Sequence, residues 1–293
     1  MLIKPVVSVI IPSYNRIKYI EETISSVESQ CYRDYEIIVV DDGSTDGSFQ
    51  LLERFKREGR IKLYTHLNGK NLGQSASINR GIDYSTGSYI AILDSDDYFS
   101  LDKLARQVYF LERNPSFGMV YGQGQAVDAD GRFLFTIPDD NHIETNDPNN
   151  LLLDCYMALP GGSLIRRSVF DKVGRFEESF RAGQDHDMAL RIMEEFKVAF
   201  LPEIVFYYRK HGDSISTNGL ETRWRTGIQV LERAKSRYPY RKSTIRKRKA
   251  VINYRLGQVH WCRGQKLRSL GFLIMSGTLD PVRASKVLLG SKS

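Results

Sequence analysis

Three carboxylates stand within four residues at the end of an apolar run, in the segment Leu93-Asp94-Ser95-Asp96-Asp97. Burial and mutual repulsion make such a cluster unfavourable unless a cation neutralises it. Magnesium and manganese prefer oxygen ligands and keep open positions for phosphates, so Asp94, Asp96 and Asp97 suit a divalent ion that carries a diphosphate. The alternative is a solvated acidic turn that caps the following helix.

A second acidic cluster follows Val40, in the segment Asp41-Asp42-Gly43-Ser44-Thr45-Asp46. A carboxylate here can accept the imide N–H of a uracil ring, and Tyr14 could stack on that ring. The alternative is that Ser44 or Asp46 caps the next helix. Capping does not account for Asp41 and Asp42, which therefore stay candidates for a nucleotide site.

Short β-branched runs alternate with segments of helical period up to about residue 200. This alternation predicts an α/β fold with a mostly parallel sheet covered by helices, in which ligands bind beyond the carboxyl ends of the strands. The polar clusters follow the first, second and fourth strands. The predicted strands are Val6–Ile11, Glu36–Val40, Ile61–Tyr64 and Tyr89–Leu93, and the helices between them are Tyr19–Cys31, Ser48–Arg57 and Gln74–Tyr84.

Charge is distributed unevenly along the chain. Residues 1–220 carry 24 Lys and Arg against 32 Asp and Glu, whereas residues 221–293 carry 18 against 3. A part of net charge −8 is therefore joined to a tail of net charge +15, which predicts two parts with different partners. We predict a catalytic domain at 1–220 and a basic α-helical region at 221–293. The predicted tail helices are Thr222–Arg237, Ser243–Cys262, Lys266–Gly277 and Pro281–Leu288.

Residues 130–150 are rich in Asp, Asn, Gly and Pro, which predicts a long loop or a mobile flap over the site. The segment His142-Ile143-Glu144 resembles half of a zinc deaminase signature, but the paired cysteines are absent. We interpret it as chance.

Several classes of protein are disfavoured by what the chain lacks. Three widely spaced cysteines fit neither a disulfide framework nor a zinc site, and a reducing compartment is the simpler interpretation. No apolar run is long enough for a signal peptide or a membrane span, so we predict a cytoplasmic protein. Neither a Gly-x-Gly-x-x-Gly after the first strand nor a P-loop is present.

Several motifs together resemble the family 2 glycosyltransferases, over about Pro5 to Ser216. They are Ser8-Val9-Ile10-Ile11-Pro12-Ser13-Tyr14-Asn15-Arg16, the Asp-Asp-Gly-Ser-Thr-Asp block, Asn71-Leu72-Gly73, Asp94-Ser95-Asp96-Asp97, Gly161–Phe170 and Tyr207–Ser216. The resemblance implies a GT-A fold, an inverting mechanism, a nucleotide sugar donor and usually Mg²⁺ or Mn²⁺. A UDP-sugar is favoured, and the acceptor is expected to be a hydroxyl of a glycan or of a lipid-linked glycan.

Carried over to this sequence, the resemblance assigns roles to individual residues. It implies a catalytic base at Asp185 and metal ligands at Asp96 and His211. It also implies contacts with the nucleotide base of the donor from Pro12, Tyr14 and Asp42. The remaining donor-site residues are Asn15, Asp41, Asn79, Asp94 and Ser95, and the acceptor or sugar pocket comprises Gly161, Gly162, Gln184 and Asp187. A lone histidine is more often structural, so the assignment of His211 depends on the resemblance of its segment.

The proposed base has a physical rationale. An attacking acceptor hydroxyl must lose its proton, and a carboxylate within hydrogen-bond reach can take it. Asp185 stands at the N-terminal end of the predicted helix Asp187–Phe196, where backbone N–H groups favour a negative charge. Asp185 could instead merely cap that helix. Asp187 is the second candidate, and Gln184 departs from the family pattern, which commonly has an acid there.

Two rival functions and one further partner follow from the same residues. The carboxylates could serve a hydrolase that sends the sugar to water, or the basic tail could belong to a binding module for nucleotides or polyanions without catalysis. Nucleic acid is not expected. The apolar residues Leu270, Phe272, Leu273 and Ile274 could let the tail rest on an anionic membrane surface, or they could simply pack helices together.

Overall fold

The computed structural model describes residues 6–212 and 219–288, with side chains up to residue 286. The described chain forms two compact units. The first comprises Met1–Asn146, Tyr156–Ser179 and Arg191–His211, and the second comprises Asp147–Cys155, Phe180–Leu190 and Gly212–Ser293. Two earlier segments thus group with the tail, and the predicted boundary at residue 220 stays a prediction.

The first unit is built on one mixed sheet. In the part of the chain that the structure describes, its strands are β1 Val7–Ser13, β2 Tyr35–Asp41, β3 Lys62–Thr65, β4 Tyr89–Ile92, β5 Tyr98–Phe99, β6 Phe117–Val127, β7 Phe133–Ile137, β8 Ser163–Arg166 and β9 Lys197–Arg209. They follow the order β3-β2-β1-β4-β8-β6-β9-β5, and β7 pairs with β6. Strands β6 and β9 pair parallel, and the four predicted strands form a separate parallel part. The short strand β8 is antiparallel to both β4 and β6 and joins this part to the rest of the sheet.

Helices connect these strands, and the first of them is shorter than the predicted Tyr19–Cys31. They are α1 Ile20–Glu28, α2 Ser48–Arg57, α3 Gln74–Tyr84, α4 Lys103–Arg113, α5 Pro148–Leu153, α6 Arg167–Val173 and α7 Gln184–Glu195. The α/β fold class is therefore confirmed. The helix α3 packs closely on β1, since a Cβ at Gly81 would lie 2.3 Å from Cγ2 of Ile10. Both faces of β1 are buried, as its continuous apolar run predicts.

The tail is helical, as predicted. Its helices are α8 Leu220–Arg237, α9 Lys242–Cys262, α10 Lys266–Leu279 and α11 Pro281–Leu288. The helices α9 and α10 approach closely because Gly257 has no side chain, and a Cβ there would lie 2.8 Å from Leu273. Ser269 Oγ donates to the Gly257 carbonyl over 2.8 Å. Within the described ranges, no helix combines the length and apolar character needed to cross a bilayer.

The loop predicted at residues 130–150 is wrong over part of its length. Phe133–Ile137 forms β7 and pairs antiparallel with β6. The turn before it is closed by Asp128, whose Oδ1 accepts from the backbone of Asp130 and Arg132, and Gly131 adopts a φ of +81°. Asp147 then caps α5 by accepting from the Asn149 backbone. The polar composition of the window concealed one apolar strand within it.

Candidate active site

Parallel register brings the polar clusters to one edge of the sheet. Ser13 at the end of β1 pairs with Asp41 at the end of β2, and Ile10 pairs with Ile92 at the end of β4. The segments that leave these three strands therefore start side by side. This is the arrangement that the strand pattern predicts.

Asp41 is buried and shapes the turn that follows β2. Its Oδ2 accepts from the backbone N–H groups of Gly43 and Ser44, both over 3.0 Å. Its Oδ1 is buried and accepts no hydrogen bond from the described residues. Gly43 has a φ of +83°, and a Cβ there would lie 2.4 Å from the Gly69 carbonyl oxygen, so the turn requires glycine. Asp41 thus keeps one acceptor oxygen that the described residues leave unsatisfied.

Asp42 has a different environment from its neighbour. Its Oδ1 accepts from the Leu72 N–H over 2.7 Å, and its Oδ2 accepts from the Gly73 N–H over 2.9 Å. Nε2 of His66 lies 3.5 Å from the same Oδ1, and burial lowers the pKa of this histidine. Both carboxylate oxygens therefore hold the loop before α3. The contact with a base that the resemblance implies for Asp42 has less support than one from Asp41.

The segment after β1 is hydrogen-bonded to the segment that follows β2. The Asn15 N–H donates to Ser44 Oγ over 2.9 Å, and its Oδ1 accepts from the Thr45 N–H over 2.8 Å. Asn15 adopts a φ of 52°, which turns the chain sharply. Pro12 is buried within β1, whereas 44% of Tyr14 is exposed. Asn15 therefore holds the loop, and the Tyr14 ring is accessible to a ligand.

Asp96 lies at the centre of the third cluster. Its Oδ2 is 3.0 Å from Nε of Arg16 and 3.0 Å from Nε2 of His211. The His211 ring packs against Tyr19, with ring centroids 4.9 Å apart. Nδ1 of His211 is buried and has no hydrogen-bond partner in the described part of the chain. The structure thus brings together the two predicted metal ligands, and it adds a guanidinium that the sequence analysis did not assign.

The neighbours of Asp96 divide into two groups. Asp94 accepts a 2.5 Å hydrogen bond from Nε2 of Gln74, and Ser95 is buried. Asp97 is buried as well, and its Oδ1 accepts from the Arg209 N–H over 2.9 Å. Burial and the charges of Asp96 and Asp94 raise the pKa of Asp97. Asp97 therefore has a structural role in the fold. The prediction that all three carboxylates share one ion needs this correction.

Three further predicted residues have structural partners instead of open surfaces. Nδ2 of Asn79 donates to the Phe176 carbonyl and to Glu178, and Oδ1 accepts from the Phe176 N–H. Gly161 and Gly162 are buried, since a Cβ on them would lie 2.5 Å from the Phe206 ring and from the Ala158 carbonyl oxygen, respectively. Close packing accounts for all three, and their assignment to a ligand pocket lacks support from the geometry.

In the second unit, Asp185 stands in the first turn of α7. It is half-buried, and its Oδ1 is buried without a hydrogen-bond partner among the described residues. Burial raises the pKa of Asp185 to about 6, and the positive charge of Arg223 opposes the rise. A carboxylate with such a pKa can accept a proton near neutral pH.

Asp187 lies two residues further along and is fully buried. Its Oδ1 is 3.6 Å from Nε of Arg233 and 3.6 Å from an amino group of Arg237, both on α8. Gln184 is also buried, and Nε2 of His186 is 2.8 Å from the Leu151 carbonyl oxygen. Asp187 therefore anchors α8 to α7 and is a poor second candidate for the base.

A comparison with known families decides the class of the protein. The profile described as "Glycosyl transferase family 2" matches residues 8–174, which is more than half of the chain. This chain belongs to glycosyl transferase family 2. The predicted family and the predicted class of enzyme, a glycosyltransferase, are both confirmed.

Relatives of this family 2 glycosyltransferase differ widely in length. The putative teichuronic acid biosynthesis glycosyltransferase TuaG of Bacillus subtilis is 31% identical over 218 residues, which cover 73% of this chain and 83% of TuaG. Three uncharacterised Rickettsia glycosyltransferases are 34–35% identical over 179 residues. The chain spans only 25–29% of the length of these three curated relatives.

Solved structures share the GT-A fold of this family 2 member. S. aureus TarS 1-349 in complex with UDP-GlcNAc has a TM-score of 0.68 at 20% identity, covering 96% of this chain and 84% of that one. The mannosyltransferase PcManGT from Pyrobaculum calidifontis, in complex with GDP-Man and Mn²⁺, has a TM-score of 0.62 at 18% identity, covering 96% and 88%. At these identities the likeness concerns the fold.

Proposed function

We propose that this family 2 member transfers a sugar from a nucleotide diphosphate sugar to a hydroxyl of a glycan or lipid-linked glycan, with inversion at the anomeric carbon. One observation carries the proposal: two side chains able to bind a metal, Asp96 and His211, lie together at the sheet edge where one Asp41 oxygen has no hydrogen-bond partner among the described residues. The complexes of TarS with UDP-GlcNAc and of PcManGT with GDP-Man support a nucleotide sugar as donor.

The donor base would occupy the end of β1. The exposed Tyr14 ring offers a stacking face, and Oδ1 of Asp41 offers an acceptor for an imide N–H. Uracil and thymine carry such a group between two carbonyls. A UDP-sugar is the favoured donor, and the panel of nucleotide sugars below distinguishes uracil from thymine and guanine carriers.

A divalent ion fits Asp96 and His211. Asp96 and His211 would hold the ion, because a carboxylate oxygen and an imidazole nitrogen are both competent ligands and lie 3.0 Å apart here. No cluster of three or more His, Cys, Asp or Glu side chains suited to a metal occurs in the described ranges, so the remaining ligands would be phosphate and water oxygens. When bound, Mg²⁺ or Mn²⁺ would stabilise the charge of the departing diphosphate.

Asp185 is proposed as the general base. The acceptor hydroxyl gives its proton to the Asp185 carboxylate while its oxygen forms a bond to the anomeric carbon. The bond between that carbon and the diphosphate breaks on the opposite side, and the nucleoside diphosphate leaves with the electron pair. A single displacement of this kind inverts the configuration. No covalent enzyme intermediate is required.

The test is a panel of nucleotide sugars measured for binding by calorimetry, with and without Mn²⁺, and for turnover with and without acceptor. Asp96→Asn should lose metal-dependent donor binding, whereas Asp185→Asn should keep it and lose transfer. Asp83→Asn removes an exposed carboxylate that pairs with Arg175 and serves as the control. Donor consumption that is independent of acceptor would favour the hydrolase, and absence of nucleotide sugar binding would overturn the proposal.

The tail is proposed to contact an anionic membrane through α10. Leu270 and Ile274 lie one turn apart and are 54% and 57% exposed, and the basic residues Lys266 and Arg268 precede them in the same helix. Phe272 stacks on His260 and Leu273 packs at Gly257, so these two apolar residues serve helix packing instead. An exposed apolar face with basic flanks is typical of helices that lie on anionic lipid.

Co-sedimentation with phosphatidylglycerol and phosphatidylcholine vesicles tests the membrane contact. The double variant Leu270→Glu/Ile274→Glu should lose binding to the anionic vesicles. Leu101→Glu, at an exposed leucine of the first unit, is the matched control and should retain it. Equal sedimentation of both variants, or equal binding to both lipids, would overturn this part of the proposal.

A further inference from the structure

Three arginines surround one tryptophan in the second unit. The guanidinium carbons of Arg223, Arg248 and Arg255 lie 5.9, 6.0 and 5.8 Å from the Trp224 ring centroid. Arg223 and Arg255 are exposed, Trp224 is half-buried and Arg248 is buried. We call these four residues the Trp224 cluster. Each arginine is within the distance at which a cation is attracted to an aromatic ring.

The guanidinium groups of the Trp224 cluster make no close ion pair in the described part of the chain, and the carboxylates of Asp154 and Asp185 act on Arg248 and Arg223 from a longer range. Among the residues that the structure describes, no carboxylate lies within 4.0 Å of any of its three guanidinium groups. Arg248 donates to the Leu153 carbonyl over 3.0 Å, and Arg255 donates to Oε1 of Gln258 over 3.1 Å. Burial lowers the pKa of Arg248, which reflects the cost of keeping this charge away from water. An anion bound at the cluster would offset both the burial and the mutual repulsion of the arginines.

The cluster lies beside Asp185 within the same unit. A Cβ at Gly183 would be 3.8 Å from Cγ2 of Thr226, which follows Arg223 by one turn on the same face of α8. The short helix α5 contacts both sides, since its Leu151 carbonyl meets His186 and its Leu153 carbonyl meets Arg248. Arg223 is near enough to Asp185 for its charge to act on the carboxylate. The candidate base and the arginines therefore share one corner of the second unit.

We propose that the Trp224 cluster is an acceptor subsite for a sugar that carries a carboxylate or a phosphate. The inference rests on the proposed function, because it assigns the acceptor side of the same reaction. A guanidinium binds a carboxylate or phosphate through two parallel hydrogen bonds, and an indole face packs against the C–H groups of a sugar ring. A neutral acceptor would offer these guanidinium groups no anionic partner at close range. The subsite therefore selects an anionic glycan and holds its hydroxyl near Asp185.

The test compares ligands that differ in one charged group. Methyl β-glucuronide and methyl β-glucoside differ only by a carboxylate in place of a hydroxymethyl group, and methyl glucoside 6-phosphate adds a phosphate arm. Binding of each to the full-length protein is followed by saturation-transfer NMR and titration at millimolar concentration. The protein should bind both charged arms about 10-fold more tightly than the neutral one, a difference of about 1.4 kcal/mol.

The arginine variants lie at exposed positions, which keeps the test independent of folding. Arg223→Ala and Arg255→Ala should each weaken binding of the two charged ligands by about 10-fold. Trp224→Phe should weaken binding of all three ligands, and by a smaller factor than the arginine variants do for the charged ones. Arg268→Ala removes the same charge from an exposed site on α10 outside the cluster and should match the wild type. Arg248 is buried and is left unchanged.

The outcomes separate this inference from the proposed function. Equal affinity for neutral and charged arms, failure to bind any arm, or equal effects of Arg223→Ala and Arg268→Ala would each overturn the subsite. Nucleotide sugar binding by the wild type is measured separately. If that binding is absent while the charged arms still depend on Arg223 and Arg255, the proposed donor is at fault and the anion site stands.

Discussion

Replacement of Asp185 by Asn is expected to abolish transfer and, at neutral pH, to stabilise the fold. Burial raises the pKa of Asp185 from its ordinary 3.8 to about 6, with Arg223 opposing the rise. A carboxyl whose pKa is higher in the folded chain than in the unfolded chain binds its proton more tightly when folded. Folding stability therefore falls as the pH rises from about 4 to about 6, and it stays lower at pH 7. Asparagine carries no charge and escapes this loss.

The expected gain in stability follows from the change in proton affinity. A rise from 3.8 to about 6 corresponds to about 3 kcal/mol, because a tenfold change in affinity is about 1.4 kcal/mol. Asp185 is partly exposed, and solvent screening reduces the gain to about 1–2 kcal/mol. The melting temperature should then rise by roughly 2–6 °C for a chain of this length.

Calorimetry at neutral pH and at about pH 4 measures this effect. The gain should be present at neutral pH and should shrink in acid, where the wild-type carboxyl is protonated in the folded chain. Asp187→Asn is the matched control with the opposite sign, since it removes the partner of Arg233 and Arg237 and should cost about 1–3 kcal/mol. An Asp185→Asn protein that melts below the wild type at pH 7, or that still transfers sugar, would refute the reasoning.

The same pKa sets the pH dependence of the reaction. A base with a pKa of about 6 is roughly 90% ionised at pH 7 and roughly 10% ionised at pH 5. The kcat/KM of the wild type should therefore fall about tenfold for each pH step below 6. Arg223 lowers the pKa of Asp185, so Arg223→Ala should move this acid limb to higher pH.

Four other substitutions have outcomes that follow from single contacts. Tyr14→Ala should weaken nucleotide binding in calorimetry by about 1–3 kcal/mol through lost stacking, without lowering the melting temperature, because the ring is exposed. Asn79→Ala should lower the urea unfolding free energy by about 1–3 kcal/mol, because the Phe176 backbone loses its partner. Gly161→Ala should destabilise by about 1–3 kcal/mol against the Phe206 ring, whereas Gly271→Ala, in open space on α10, should stabilise by about 0.5–1 kcal/mol, both measured by urea titration.

Local patterns predict much of this fold. The predicted bounds of α2 and α3 match the structure, and β1 to β4 lie within two residues of their predicted ends. Continuous β-branched runs or a single apolar helical face predict these elements. By contrast, β8 is four residues long, and its two antiparallel pairings with β4 and β6 depend on chain segments far away in sequence. Local periodicity carries no information on such partners.

The candidate site shows the same limit at the level of side chains. The sequence locates the acidic pairs at the strand ends, but it does not tell which member of a pair faces outwards. The structure places Asp96 beside Arg16 and His211, and it turns Asp97 towards the Arg209 backbone. Similarly, the arginines that pair with Asp187 lie on α8, more than 40 residues later in the chain. Such roles depend on tertiary neighbours.

The strand β7 has a consequence for how the protein behaves in concentrated solution. It pairs with β6, and Phe133 on it is 60% exposed, with Leu134 and Phe135 also exposed. A sheet edge with free backbone groups and bare apolar side chains is a template for sticking to other chains. Charge at such an edge discourages this, and Arg132 precedes the strand while Nζ of Lys210 lies 4.5 Å from the Phe135 ring centroid, which leaves Phe133 without a charge at its own position. Phe133→Lys is therefore expected to raise solubility and to slow aggregation. The position is far in sequence from every residue proposed to bind a ligand or to act in catalysis.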